Sequence, residues 1–220
     1  MEATQRDFTP AAPSLWLYDF LVALLTREPI WRQALLRQVA PAAGDVIADV
    51  GCGTGSQLVL VGRAAPGATL IGIDPDPDIR PRARAKTDAA GVSVELLHGY
   101  ARDAARLLDG RRVGKIVSSL VLHQVPLAEK RAGLAAMHAA LVAGGELHVA
   151  DYGFQRTPLM RVLFRIVQLG DGFEDTEPNA RGVLPELMRD VGFVDVRETA
   201  VIPTPSGSMS IYRASKSRTP

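Results

Sequence analysis

The sequence predicts an α/β protein: a parallel sheet with helices on both faces. Three observations carry this. Between residues 41 and 151, apolar segments of strand length alternate with amphipathic segments of helical length. Several of those apolar segments end in an acidic or hydroxyl residue (Asp49, Asp74, Ser118, Asp151), as strands do when a ligand lies beyond their carboxyl ends. The length of 220 residues, 47% of them hydrophobic, suffices for one sizeable core, so a single domain spanning 1–220 is expected.

Taken in order, residues 1–40 should form an N-terminal helical cap, since Trp16 to Thr26 and Ile30 to Val39 have helical spacing and Pro29 suits a first helical turn. After Pro41 to Gly44 comes a ligand-binding core, 41–151. Its strands are expected near 46–50, 68–73, 92–97, 113–118 and 146–151, and its helices near 55–64, 78–90, 102–109 and 127–142. An insertion over 152–192 follows, with helices near 158–169 and 183–191. The acidic stretch Asp171 to Glu177 between them reads as a mobile surface loop. Strands near 193–201 and 208–214 make a closing hairpin, and Ser215 to Pro220 reads as a frayed tail. There is no internal repeat and no low-complexity segment.

Composition excludes several classes. A net charge of +1, with both signs interspersed, lacks the concentrated basic surface of a nucleic-acid binder. One cysteine, Cys52, rules out an internal disulfide and leaves no zinc-ligand pattern, so no metal is expected. Charges at Glu2, Arg6 and Asp7 argue against a signal peptide, and a cytoplasmic protein is expected. No apolar run is long enough to span a bilayer, although Leu15 to Leu25 is apolar enough to leave peripheral membrane contact open.

The most informative stretch is Asp49-Val50-Gly51-Cys52-Gly53-Thr54-Gly55-Ser56-Gln57. Glycines let a turn adopt backbone angles closed to other residues and bring main chain close to a ligand. A pyrophosphate dinucleotide wants G-x-G-x-x-G, but here Ser56 holds the position of the third glycine and the pattern is G-x-G-x-G. A carboxylate at the mouth of the turn repels a pyrophosphate and attracts an ammonium or sulfonium. The loop suits a cationic, nucleoside-bearing ligand, while Asp49 also has the chemistry to cap its own turn.

Asp49 to Gln57 resembles the first motif of the class I S-adenosylmethionine-dependent methyltransferases. Three more segments resemble that family in order: Ala68 to Pro75, ending in Asp74; Ile116 to Val125, holding Ser118, Ser119 and His123; and Leu141 to Tyr152. The resemblance implies a Rossmann-like seven-stranded, mostly parallel sheet whose last strand is antiparallel. It implies S-adenosyl-L-methionine as cofactor, held by Asp49, Gly51, Cys52, Gly53, Gly55, Asp74, Pro75, Gly99, Tyr100, Ala101, Ser118 and Ser119, with Asp74 accepting from ribose hydroxyls. An acid there also serves dinucleotides, and Asp74-Pro75-Asp76-Pro77-Asp78 would also start a helix. The general pattern is similar to the quinone-biosynthesis C-methyltransferase branch, which also contains enzymes for lipid amines and natural products. Alternatives are a nicotinamide-dependent oxidoreductase on the same architecture and a cofactor-binding subunit without turnover.

The sequence departs from the family at Gly99-Tyr100-Ala101, where many relatives carry Gly-Asp-Ala and the aspartate accepts from the adenine amino group. Tyr100 has no carboxylate, so backbone, stacking, Arg102 and Asp103 are the candidates for adenine. His123, near neutral pKa in its ordinary state, is the candidate general base, against the alternative that it packs the loop. Tyr18, His123, Tyr152, Phe164 and Phe173 are the candidate acceptor contacts, in the cap and the insertion that would cover the carboxyl ends. Arg161, Arg165 and Gln168 share one helix face, leaving a lid, a membrane-surface helix and a core-facing helix open as readings. The apolar cap and insertion lean toward a small apolar or aromatic acceptor.

Overall fold

A computed structural model describes residues 26–218. The helix expected over Trp16 to Thr26, and Tyr18 with it, lies outside the described residues apart from Thr26. The elements are α1 (Glu28–Val39), β1 (Val46–Val50), α2 (Ser56–Ala64), β2 (Thr69–Asp74), α3 (Ile79–Ala89), β3 (Glu95–His98), α4 (Ala104–Leu107), β4 (Val113–Ser119), α5 (Leu127–Ala140), β5 (Leu141–Tyr152), α6 (Pro158–Asp171), α7 (Phe173–Ala180), α8 (Leu184–Asp190), β6 (Val194–Thr204) and β7 (Gly207–Ser215). Single 3₁₀ turns precede α4 and α5, at Ala101–Asp103 and Leu122–Gln124.

The strands form one seven-stranded sheet in the order β3-β2-β1-β4-β5-β7-β6. β1 to β5 pair in parallel, and β7 runs antiparallel to both β5 and β6. The order reverses between β1 and β4, which opens a crevice at their carboxyl ends. Ile116, Leu134 and Met137 belong to an apolar cluster that α4, α5 and α8 close on one face. Trp31, Leu35, Leu58 and Phe164 belong to a second, closed by α1, α2, α6 and α7 on the other.

Several elements differ from expectation: β3 starts at Glu95, β6 runs on to Thr204, and Ser215 and Lys216, expected in a frayed tail, pair with Glu146 and Gly145 of β5. β5 starts at Leu141, earlier than expected, because Leu141 pairs with Val113 before a register shift that the Gly144-Gly145 turn accommodates. The acidic stretch expected as a mobile loop is the end of α6 and the helix α7. Gly172, with φ of 90°, ends α6, and Glu174 and Asp175 place negative charge in the first turn of α7, where the helix dipole favours it. Its polar inner side makes tertiary bonds, including Asn179 Nδ2 donating to the Tyr152 carbonyl at 2.9 Å. α6 begins as a well-signalled helix does: Thr157 Oγ1 accepts from Met160 N at 3.1 Å and Pro158 holds the first position.

Gln155 fastens this insertion to the β6–β7 hairpin. Its Nε2 donates to the carbonyls of Gly153 (2.8 Å) and Ser208 (3.1 Å), while Oε1 accepts from Ser208 N (2.8 Å), all in a buried setting. Replacing it with a side chain that cannot hydrogen-bond leaves buried backbone groups unpaired. Gln155→Leu is expected to lower unfolding free energy by about 3 kcal/mol, roughly 1 kcal/mol per lost bond, measured by urea denaturation.

Candidate functional site

Strand parity delivers Asp49 to the crevice. Ile47 packs in the α1–α2 cluster, so Asp49, two residues on, faces the same side between Gly72 of β2 and Val117 of β4. It is 2% exposed and neither carboxylate oxygen has a hydrogen-bond partner. Burial raises its pKa to about 7, opposed by the Arg32 guanidinium of α1 and reinforced by Asp74. A buried carboxylate without a partner is costly, and a cation at this position relieves the cost.

The turn beyond Asp49 needs its glycines. Gly51, Gly53 and Gly55 have φ of 76°, 51° and 79°, a left-handed region unfavourable to other residues. A Cβ on Gly51 would fall 2.2 Å from Val121 Cγ2, whereas a Cβ on Gly53 would meet nothing within 4 Å. One side of the turn is thus closed by Val121, and the other is open for a ligand. The N–H groups of Gly51 and Cys52 donate to the Ile73 carbonyl at 2.8 and 3.0 Å. Lys86 of α3 donates to the hydroxyls of Thr54 and Ser56, both at 2.9 Å, fixing the far side.

Asp74 closes the turn from β2. Its Oδ2 accepts from Gly53 N at 2.8 Å and Oδ1 from Asp76 N at 3.0 Å, and burial still holds its pKa above the ordinary value. Asp76 Oδ1 in turn accepts from Asp78 N at the start of α3, so the helix entrance has its own acid and Asp74 belongs to the turn. Pro75 follows, half-buried. Cys52 is buried with its sulfur toward Gly72, and burial pushes the thiol pKa up, the behaviour of a small filler and not of a nucleophile.

Beyond the end of β3, Gly99 is buried close against Leu107, and Tyr100 and Ala101, expected from the sequence to border adenine, are half-buried. The Asp103 Oδ2 accepts from Tyr100 N at 3.0 Å, so this carboxylate closes its own turn. Arg102 lies 4.3 Å over the Tyr100 ring and pairs with Glu129 at 2.7 Å. At the end of β4, Ser118 Oγ donates to the Val50 carbonyl at 2.8 Å in a fully buried bond, and half-buried Ser119 follows beside Ala150. The Ser118 hydroxyl proton is therefore committed to holding β1 and β4 together at the crevice.

The acceptor-side candidates divide. Tyr152 is buried, its hydroxyl 2.7 Å from Ser206 Oγ and its ring edge-on to His123 at 5.1 Å. Phe164, expected at the acceptor, is fully buried in the core against Tyr152, because it lies on the sheet-facing stripe of α6. Phe173 is half-exposed, with the Arg165 guanidinium 5.3 Å from its ring. Arg161 and Gln168, on the face singled out in the sequence, both donate to Glu177 of α7, so this face joins two helices. Leu159, Val162, Ile166 and Leu169 are the exposed apolar side, between 54% and 87% accessible.

His123 does not stand as a free base. Its Nδ1 lies 2.7 Å from Asp151 Oδ1 and its Nε2 3.2 Å from Asp171 Oδ2, and these carboxylates outweigh burial to raise its pKa to about 9. With a proton on each nitrogen the ring has no lone pair to accept another. Sequence reasoning missed the residues around it: Asp171; Val121; and the buried Lys130, which donates to the carbonyls of His123 and Asp175 at 3.2 and 2.8 Å. It also missed Gln57, whose buried Nε2 is without a partner beside the glycine turn. Asp151 did carry a signal, as an acid ending an apolar strand. Among the described residues no cluster suits a metal ion, and no helix is long and apolar enough to cross a membrane.

Because folding raises the Asp49 pKa, the protonated group favours the native state, and that contribution is lost as pH rises from about 4 through about 7. Asp49→Asn should therefore raise the thermal midpoint of the ligand-free protein at pH 8 by several degrees and change it little at pH 4.5, read by differential scanning calorimetry.

Residues 47–145 match the family model described as a methyltransferase domain. A demethylmenaquinone methyltransferase from Clavibacter sepedonicus is 30% identical over 146 residues, covering 66% of this chain and 57% of that protein. Two solved structures share the fold. An O-methyltransferase family protein from Burkholderia thailandensis has a TM-score of 0.69 at 19% identity, covering 98% of this chain and 66% of its own. The magnesium protoporphyrin IX methyltransferase of Synechocystis, with bound S-adenosylhomocysteine, has a TM-score of 0.66 at 17% identity, with 96% and 91% covered. This chain thus spans little more than half the length of the Clavibacter relative. The family's cofactor is S-adenosylmethionine, and two features fit it: the unpartnered Asp49 carboxylate suits a cationic ligand, and the face over Gly53 is open. The matched methyltransferase-domain segment, the ordered motifs and the seven-stranded sheet make the chain similar to the class I S-adenosylmethionine-dependent methyltransferases.

Proposed function

We propose that the protein transfers the methyl group of S-adenosylmethionine to a small apolar or aromatic acceptor, with a quinol-like ring the first candidate. The observation that carries the reading is Asp49: a buried, unpartnered carboxylate beside three left-handed glycines is suited to a cation-bearing nucleoside and unsuited to a pyrophosphate. The same carboxylate weighs against the nicotinamide alternative. The acceptor class is supported by the name of the Clavibacter relative and by the apolar side of α6.

In this reading Asp49 faces the positive end of the cofactor, Asp74 accepts from the ribose hydroxyls with its remaining lone pairs, and the segment Gly99 to Ala101 borders the adenine. The sulfonium supplies an already activated methyl group. What remains for the chain is to align the acceptor and exclude water, which in well-oriented systems is equivalent to effective molarities on the order of 10⁵ M or more. The proton that the acceptor gives up, from a phenol oxygen before transfer or from a ring carbon after it, passes to solvent, so His123, held between two carboxylates, is not needed to take it.

Calorimetry should show S-adenosylhomocysteine binding, weakened about tenfold or more by Asp49→Asn, equivalent to about 1.4 kcal/mol, with no binding of NAD(H). Incubation with methyl-labelled S-adenosylmethionine and a panel of quinols, phenols and amines, read by mass spectrometry, should show the label on a ring acceptor. Binding without labelling of any acceptor would favour the subunit without turnover; label on an amine alone would overturn the acceptor class.

A further inference from the structure

We propose that His123 is a positioning residue: a doubly protonated imidazolium that ties the α6–α7 insertion to the cofactor turn, so that the two halves of the site close together. The geometry requires the charge. A neutral imidazole has one N–H, yet both ring nitrogens of His123 face carboxylate oxygens, at 2.7 Å (Asp151) and 3.2 Å (Asp171). Only the imidazolium donates to both.

From His123 the connection runs in both directions through single contacts. On the insertion side, Asp171 is the last residue of α6. On the cofactor side, Asp151 Oδ1 also accepts from Tyr152 N at 2.8 Å, while Oδ2 accepts from Val121 N at 3.1 Å and Leu122 N at 2.7 Å. Val121 is the side chain against Gly51, where even a methyl group would collide. The loop needs this restraint, since Leu120 sits in the left-handed region at φ 55° without being glycine. Lys130 braces the same joint, its Nζ donating to the carbonyls of Leu122 and His123 in the loop and of Asp175 in α7. Burial lowers its pKa to about 8, so its charge is lost before that of His123, and the two are told apart by the His123 ring signal. The charged groups facing the ring are therefore Asp151 from β5 and Asp171 from α6, with Lys130 from α5 and Asp175 from α7 at the adjoining carbonyls.

Loss of the His123 proton breaks one tie before the other. The Asp151 bond is the shorter and is sealed from solvent, so the single remaining N–H stays there. Asp171, 20% exposed, then faces a lone pair and turns to water, releasing the end of α6. Since the folded pKa is about 9, above the ordinary value of 6.5, the stability that the tie contributes is full below about pH 6.5, and the tie itself is lost as pH rises through about 9.

This deepens the methyltransferase reading and rests on it only for the turnover measurement; the spectroscopic and exchange measurements stand without it. In ¹⁵N-histidine NMR of the whole chain, the ring signal that disappears in His123→Gln should be an imidazolium at pH 8 and titrate near 9. In Asp171→Asn, which keeps the core intact, that titration should fall by about one unit or more. Hydrogen exchange at the end of α6 should accelerate between pH 8 and 10, beyond the intrinsic rate, in the wild type and be already fast at pH 7 in Asp171→Asn. For turnover, Asp171→Asn should raise KM for cofactor and acceptor several-fold and change kcat less than threefold. A neutral His123 ring at pH 8, or a kcat that climbs with pH through the His123 titration as a base requires, would overturn the proposal.

Discussion

A carboxylate buried without a partner constrains everything around it. Asp49 cannot be relieved by moving, because it is a residue of a central strand, paired in register with β2 and β4 on its two sides. Water does little to solvate it, since only 2% of it is exposed. The remaining outlets are protonation, which its raised pKa reports, and a positive ligand. The neighbouring features follow from serving that ligand. Gly53 leaves the main chain open on its outer side, and Asp74 is spent on holding the turn in place before it is available for anything else.

The second organising device is a set of buried polar ties at the carboxyl end of β5. Asp151 gathers four donors, three backbone N–H groups and one imidazole nitrogen, onto its two oxygens. Lys130 gathers three carbonyls. Such groups contribute little net stability when satisfied but cost several kcal/mol when one partner is removed. They fix the loop over the glycine turn and the insertion in a single arrangement. An apolar joint of the same size permits sliding; this one does not. That rigidity suits a reaction whose rate depends on alignment.

The core strands and helices were legible because their periodicity and end signals agree with their tertiary roles: β1 and α2 fall where the apolar run and the glycine turn put them. The glycine turn and the strand-end acids were legible for the same reason, since both are local signals. α7 was not, because Phe173 to Ala180 is acidic, contains Pro178 and lacks an apolar stripe; its order comes from Lys130, Tyr152 and α6, which are distant in sequence. Phe164 looked like an acceptor contact because residue type does not tell which side of an amphipathic helix meets the sheet. His123 looked like a base because its second carboxylate, Asp171, is 48 residues away at a helix end that the sequence did not place.

The central claim is that Asp49 carries a proton in part of the ligand-free population near neutral pH and gives it up to a cationic cofactor. Titration calorimetry of S-adenosylhomocysteine at pH 6.5, in two buffers of different ionisation enthalpy, counts the protons exchanged on binding. The account predicts net release of a substantial fraction of one proton, absent in Asp49→Asn. Proton uptake, or the same release in the variant, would contradict it.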